Sequence, residues 1–209
     1  MFFMLYYRRK ELFFLTLIKK VVKYLFTRTG SLWYDLSKIG RMKMKRDSSS
    51  IMDARTLACY IKEYYKKISN EEISPIKLQK ALYFCFAYWG GFIRKNNSFS
   101  DETKEVTFNY DEFLFPNNIE AWVYGPVVPD VYHEKNLDKF KEEDAFWGQK
   151  YVEEFIDNVL DDVLKANDFK LVDVSHQDKC WQRNFKPKSK FHNCIIPPEE
   201  IISEYAKNY

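Results

Sequence analysis

Glu120-Ala121-Trp122-Val123-Tyr124-Gly125-Pro126-Val127-Val128-Pro129 is the stretch on which the reading of this chain turns. An apolar run of strand character from Ile119 to Tyr124 meets Gly125-Pro126, where glycine supplies backbone freedom and proline fixes φ near about −65°. A second proline, Pro129, suits the first position of a helix. The stretch predicts a strand that turns at Gly125-Pro126 and restarts as a helix at Pro129. Glu120 is its only catalytic-type group, so it reads first as architecture.

Upstream, Phe113-Leu114-Phe115 is another apolar run of strand length, separated from Ile119 by Pro116-Asn117-Asn118. A small hairpin with its turn at those polar residues is the economical expectation. Residues 96–107 are polar and read as a surface loop. Before them lie two helical patterns. Ala54, Leu57, Ala58, Ile61, Tyr64 and Tyr65 share one face of a helix over residues 54–67, with Asp53 as N-cap. Ser74-Pro75 opens the next, which carries Leu78, Ala81, Leu82, Cys85, Phe86 and Trp89 on one side and reaches Gly90-Gly91 as an end or a close packing point.

Downstream, a helix is expected from Pro129 through Val131, Tyr132 and Phe140. Residues 151–165 are the cleanest helix, with Val152, Phe155, Ile156, Val159, Leu160, Val163 and Leu164 buried and Glu153, Glu154, Asp157, Asp161 and Asp162 on a solvated outer face. Ser175-His176-Gln177-Asp178 matches a capping box opening a short helix with Cys180 and Trp181. Pro197-Pro198-Glu199-Glu200 starts a last helix through Ile201, Ile202 and Tyr205. The fold class is therefore mainly α (α+β): one helical domain with a small β-hairpin element.

Charge divides the chain. The net charge over 209 residues is +3, yet residues 1–50 hold 12 Lys+Arg against 3 acids, leaving residues 51–209 at 21 − 27 = −6. Residues 1–51 read as a basic extension, either a mis-assigned start or a flexible arm, and residues 52–209 as the domain. Leu12, Leu15, Ile18, Val22 and Leu25 could line a basic amphipathic membrane-surface helix, but the longest uncharged apolar run is far short of the roughly 20 residues a membrane span needs. An acidic domain argues against direct nucleic-acid binding, and the cluster Lys179, Arg183, Lys186, Lys188 and Lys190 reads as a solvated loop or a patch meeting an acidic partner. The four cysteines (Cys59, Cys85, Cys180 and Cys194) are widely spaced, which points to reduced thiols and a cytoplasmic setting.

Chemistry is sparse. His176 and Cys180 stand four apart and could form a nucleophile pair with Glu120, the basis of an alternative reading as a small cysteine-dependent hydrolase. A hydrogen-bonded histidine and a packed cysteine are the more frequent outcome. His133, His176 and His192 with Cys194 match no zinc spacing. No phosphate loop, dinucleotide fingerprint or nucleophile elbow is present. No catalytic residue, metal site or cofactor is expected.

Three segments coincide in order: residues 74–84 (Ser-Pro-Ile-Lys-Leu-Gln-Lys-Ala-Leu-Tyr-Phe), residues 120–132, and residues 175–181 (Ser-His-Gln-Asp-Lys-Cys-Trp). Together they resemble the Panacea domain family, that of the SocA-like and phage-associated GepA-like antitoxins, over about residues 54–205. The motif residues carried over are Leu78, Gln79, Tyr83, Glu120, Trp122, Tyr124, Gly125, Pro126, Val127, Pro129, His176 and Trp181, with structural or partner-binding roles. Where the family often has a small residue or proline before the tryptophan, Cys180 stands here, which argues for packing. The resemblance implies a non-enzymatic antitoxin of a phage or mobile-element toxin–antitoxin pair. It implies direct binding of a co-encoded toxin, or delivery of that toxin to a cytoplasmic protease. A membrane-surface adaptor is the remaining alternative.

Overall fold

The computed structural model describes residues 50–97, 110–116, 118–134, 150–187 and 194–207. Among them are seven helices and one two-stranded sheet: α1 Ala54–Ser69, α2 Pro75–Asn97, β1 Glu120–Trp122, β2 Gly125–Val127, α3 Pro129–Tyr132, α4 Lys150–Val163, α5 Asp168–Ser175, α6 Lys179–Asn184 and α7 Pro198–Ala206. The mainly helical class with a small β element is as expected. The extension over residues 1–49, the loop over residues 98–107, and Phe140, Lys188, Lys190 and His192 lie outside the described residues.

Helix α2 is the axis of the domain. Its residues are buried on nearly every side from Leu78 to Gly91, and it packs against α1, α4, α5, α7 and β2. An all-round apolar helix of this kind belongs inside a core. Ser74 starts it as predicted, its Oγ accepting the Lys77 N–H at 3.0 Å while its hydroxyl donates to Asp168. Gly90 and Gly91 do not end the helix. They are the close packing point: a Cβ on Gly90 would stand 2.5 Å from Ile202 Cγ1, and one on Gly91 2.8 Å from Tyr205 Cβ. Only glycine lets α7 come this near.

Helix α1 has Asp53 as N-cap and closes on Asn70, whose left-handed backbone (φ 57°) returns an N–H to Lys66. Along α4 the predicted stripe is buried. Its acidic face is not left wholly to water: Tyr60 and Tyr64 of α1 donate to Asp157 at 2.5 Å and to Asp161 at 2.6 Å.

The hairpin differs from expectation. Its turn is Val123-Tyr124, and Gly125-Pro126 begins the second strand, with Trp122 opposite Gly125 and Glu120 opposite Val127. Neither turn residue has a positive φ, and Gly125 takes it instead at +92°. Phe113-Leu114-Phe115 is not the partner strand. The Phe113 and Leu114 carbonyls accept the N–H groups of Ile51 and Met52, and Leu114 and Phe115 are buried. The outer edge of β1 is covered by Cys194–Ile196, through Ala121 N–H to Cys194 O (2.9 Å) and Ile196 N–H to Ile119 O (2.8 Å). Pro129 does open a helix, but it is the single turn α3, capped at His133.

The capping box also differs. Ser175 lies in the last turn of α5, a helix the capping reading passed over, and its hydroxyl bonds back to Val172 O. Asp178 is the N-cap residue of α6 but its side chain makes no cap bond. Its carboxylate accepts the phenols of Tyr83 (2.7 Å) and Tyr205 (2.9 Å), tying α2 and α7 to the start of α6. The cap comes from Glu204 of α7, which takes the Lys179 and Cys180 N–H groups at 2.8 Å each.

Candidate binding site

The motif residues from three separate stretches of sequence converge on the hairpin. From beneath, Gln79 Oε1 accepts the Val128 N–H at 2.8 Å and Lys80 Nζ donates to Pro126 O at 2.8 Å. Both side chains are buried, Lys80 to 1% exposure. From the side, Trp181 Nε1 donates to Trp122 O at 3.1 Å, and the Trp181 ring stacks on His176 with centroids 4.0 Å apart. His176 makes a backbone hydrogen bond with Val123. Within β1, Trp122 Nε1 donates to Glu120 at 2.7 Å, so Glu120 orients an indole. Gly125 is pressed so closely that a Cβ would lie 2.5 Å from Ser175 Oγ and 3.0 Å from Lys80 Nζ.

These contacts hold open a cleft of about 640 Å³ between the start of α2, the hairpin and α3. Pro75, Ile76, Gln79 and Lys80 form its helical wall, and Trp122, Val123, Tyr124 and Val127 its hairpin wall. Tyr132 and His133 close the end, with Tyr132 5 Å-scale packed edge-on against Trp122 (centroids 4.8 Å). Val123, Tyr124 and Tyr132 remain 55, 58 and 52% exposed. Large apolar side chains at a turn tip are unusual, since that position favours glycine and small polar residues.

Of the predicted motif residues, Gln79, Trp122, Tyr124 and Val127 line the cleft. Glu120, Gly125, Pro126 and Pro129 shape the hairpin and its exit, and His176 and Trp181 brace it. Leu78 and Tyr83 are buried in α2, Tyr83 in the Asp178 cluster. Lys80, Tyr132 and His133 were not singled out. Lys80 and Tyr132 lie inside motif segments and His133 directly follows one, and the signal was a lysine on an otherwise apolar helix followed, far along the chain, by paired aromatics.

Burial pulls the Lys80 ammonium down to about 7. The His176 imidazole is also lowered, first by burial and then by the charge of Lys80, and its Nε2 is buried with no hydrogen-bond partner among the described residues. Burial pushes the Cys180 thiol well above its ordinary range, with Asp178 and Glu204 adding to the effect, and its sulfur faces Tyr83 Oη at 3.6 Å. A thiol so placed is a packed side chain rather than a nucleophile. Among the described residues no group of His, Cys, Asp and Glu is arranged to hold a metal, and no helix is long and apolar enough to cross a membrane.

Comparison with known families now bears on this geometry. The family model of the antitoxin SocA-like Panacea domain matches residues 99–182, which span the hairpin, α3 to α5 and the start of α6. This segment of the chain is similar to the Panacea domain. The Panacea match ends at Gln182, one residue past Trp181, the indole that braces Trp122. The α2 motif lies outside it, yet Gln79 and Lys80 clamp the hairpin of the matched segment directly. No curated protein and no solved structure matches the chain.

Proposed function

We propose that this protein is an antitoxin-type interaction protein that binds and neutralises a co-encoded toxin. The match to the SocA-like antitoxin domain carries the reading, because it falls on the segment that builds the hairpin wall and the α3 end of the cleft. The site's chemistry supports binding: Gln79 Oε1, Lys80 and Glu120 hold the hairpin, while its exposed surface is aromatic and aliphatic. Such a patch on an acidic domain is what a protein partner covers. The hydrolase reading finds no support in a protonated, core-packed Cys180. The toxin is a protein, neutralised by direct contact or by delivery to a cytoplasmic protease, and the pair belongs to a phage or mobile element. Nucleic acid and membrane are not partners in this reading.

Expression of the flanking reading frame alone tests it. Growth arrest that is relieved by co-expression of this chain is the expected result. A neighbour that is harmless alone, or lethal regardless of this chain, overturns it.

A further inference from the structure

The cleft has a polar feature that its structural role does not exhaust. Gln79 is 4% exposed and lines the cleft. Its Oε1 is used by Val128 N–H, whereas its Nε2 amide has no partner among the described residues. Among the described residues the fully buried polar side-chain atoms without a partner are Tyr151 Oη and His176 Nε2, so the Gln79 amide nitrogen is left open to solvent and free to donate to a ligand. One residue on, Lys80 gives its only hydrogen bond to the Pro126 carbonyl and has no carboxylate partner among the described residues. No lining residue of the cleft is acidic. Of the neighbouring acids, Glu120 holds the Trp122 indole and Glu134 pairs with Arg55 at 3.5 Å, while Asp130 in the first turn of α3 is exposed. Residues 51–209 carry a net −6, whereas the wall of this cleft holds a lysine that burial leaves poised between ammonium and amine near pH 7, and an incoming carboxylate would favour its ammonium form.

Resting on the binding reading above, we propose that the cleft receives an apolar segment of the partner protein that carries a carboxylate, the acid accepting from the Gln79 side-chain amide with the Lys80 ammonium behind it, and the apolar side chains lying against Trp122, Tyr124 and Tyr132. The donor is neutral and the charge sits one residue deeper, so recognition needs no exposed basic patch. The aromatic walls supply area and the amide supplies orientation.

The probe is a set of hexapeptides placing Asp or Glu among Leu, Phe and Trp, each matched by its Asn or Gln counterpart. They are titrated against the full chain while the Trp122 indole N–H is followed by NMR. Acid members should bind about tenfold more tightly than their amide counterparts, a difference of about 1.4 kcal/mol. Gln79→Glu keeps an acceptor for Val128 N–H, yet sets an anion where the donor stood, and should abolish the preference for acids. Tyr124→Ala alters an exposed side chain and should weaken acid and amide members alike. Failure of every peptide to bind, equal binding of the two classes, or an acid preference that survives Gln79→Glu overturns the proposal. Growth rescue separates this failure from that of the broader reading. Gln79→Glu should lose rescue. A variant that rescues fully leaves the antitoxin reading standing and removes this cleft, whereas a harmless neighbour removes the antitoxin reading whatever the peptides do.

Discussion

Gly125 and Lys80 show how single residues hold the site. Gly125 sits at φ +92° with Ser175 Oγ and Lys80 packed where a Cβ would go. Gly125→Ala therefore combines backbone strain of about 1–3 kcal/mol with a collision, and urea denaturation should show at least that loss. Ser175→Gly in the same chain should restore the steric part and leave the backbone part. Lys80 is protonated in the unfolded chain up to its ordinary value of 10.5 but in the fold only up to about 7. Above pH 7 the unfolded state then holds the extra proton, so stability rises with pH, by at most about 1.4 kcal/mol per pH unit. Cys85 and Cys180 act oppositely, since burial raises both thiols and stability falls once unfolded thiols ionise near about 8.5. Thermal melts between pH 7 and 8.5 should rise for the natural chain and be flat for Lys80→Met. An identical slope in both would remove Lys80 as the cause. Gln79 and Trp122 were legible because their motif is local. Lys80 was not, because a lysine in a helix reads as surface until a hairpin from 46 positions later folds over it.

At the level of elements, periodicity located α1, α2 and α4, and proline starts located α2, α3 and α7. The errors arise where a partner distant in sequence decides. Phe113-Leu114-Phe115 has the composition of a strand, yet Cys194–Ile196 takes the edge of β1. Ser175-x-x-Asp178 has capping-box spacing, yet Glu204 supplies the cap and frees Asp178 for the two phenols. A local signal for α5 was present in Asn167, whose side chain accepts the Lys170 N–H at 2.8 Å. Glu204→Ala should cost about 1–2 kcal/mol by leaving two N–H groups of α6 uncapped, with little cost from Glu204→Gln at one of them. Amide hydrogen exchange at Cys180 reads it directly. Tyr60→Phe removes the donor to Asp157, whose carboxyl burial already raises and the phenol lowers. The Asp157 titration should move further up in that variant, and an unmoved titration would mean that the hydrogen bond does not persist in solution.

At the level of the molecule, one buried helix gathers everything. Helix α2 meets α7 through glycines, α4 through Trp89 and Phe155, α6 through Tyr83 and Asp178, and the hairpin through Gln79 and Lys80. The stretch with no chemistry in it becomes the wall of a binding cleft because the rest of the domain is organised to hold it there. In the proposed reading, a protein built this way acts by binding its partner in a fixed complex. Stoichiometry tests that most directly: the purified product of the flanking reading frame is titrated with the full chain while its toxic activity is followed. A sharp end point at a fixed molar ratio, coinciding with the end point of binding heat, is the predicted result. Neutralisation by far less than an equivalent, or no binding heat at all, would contradict it.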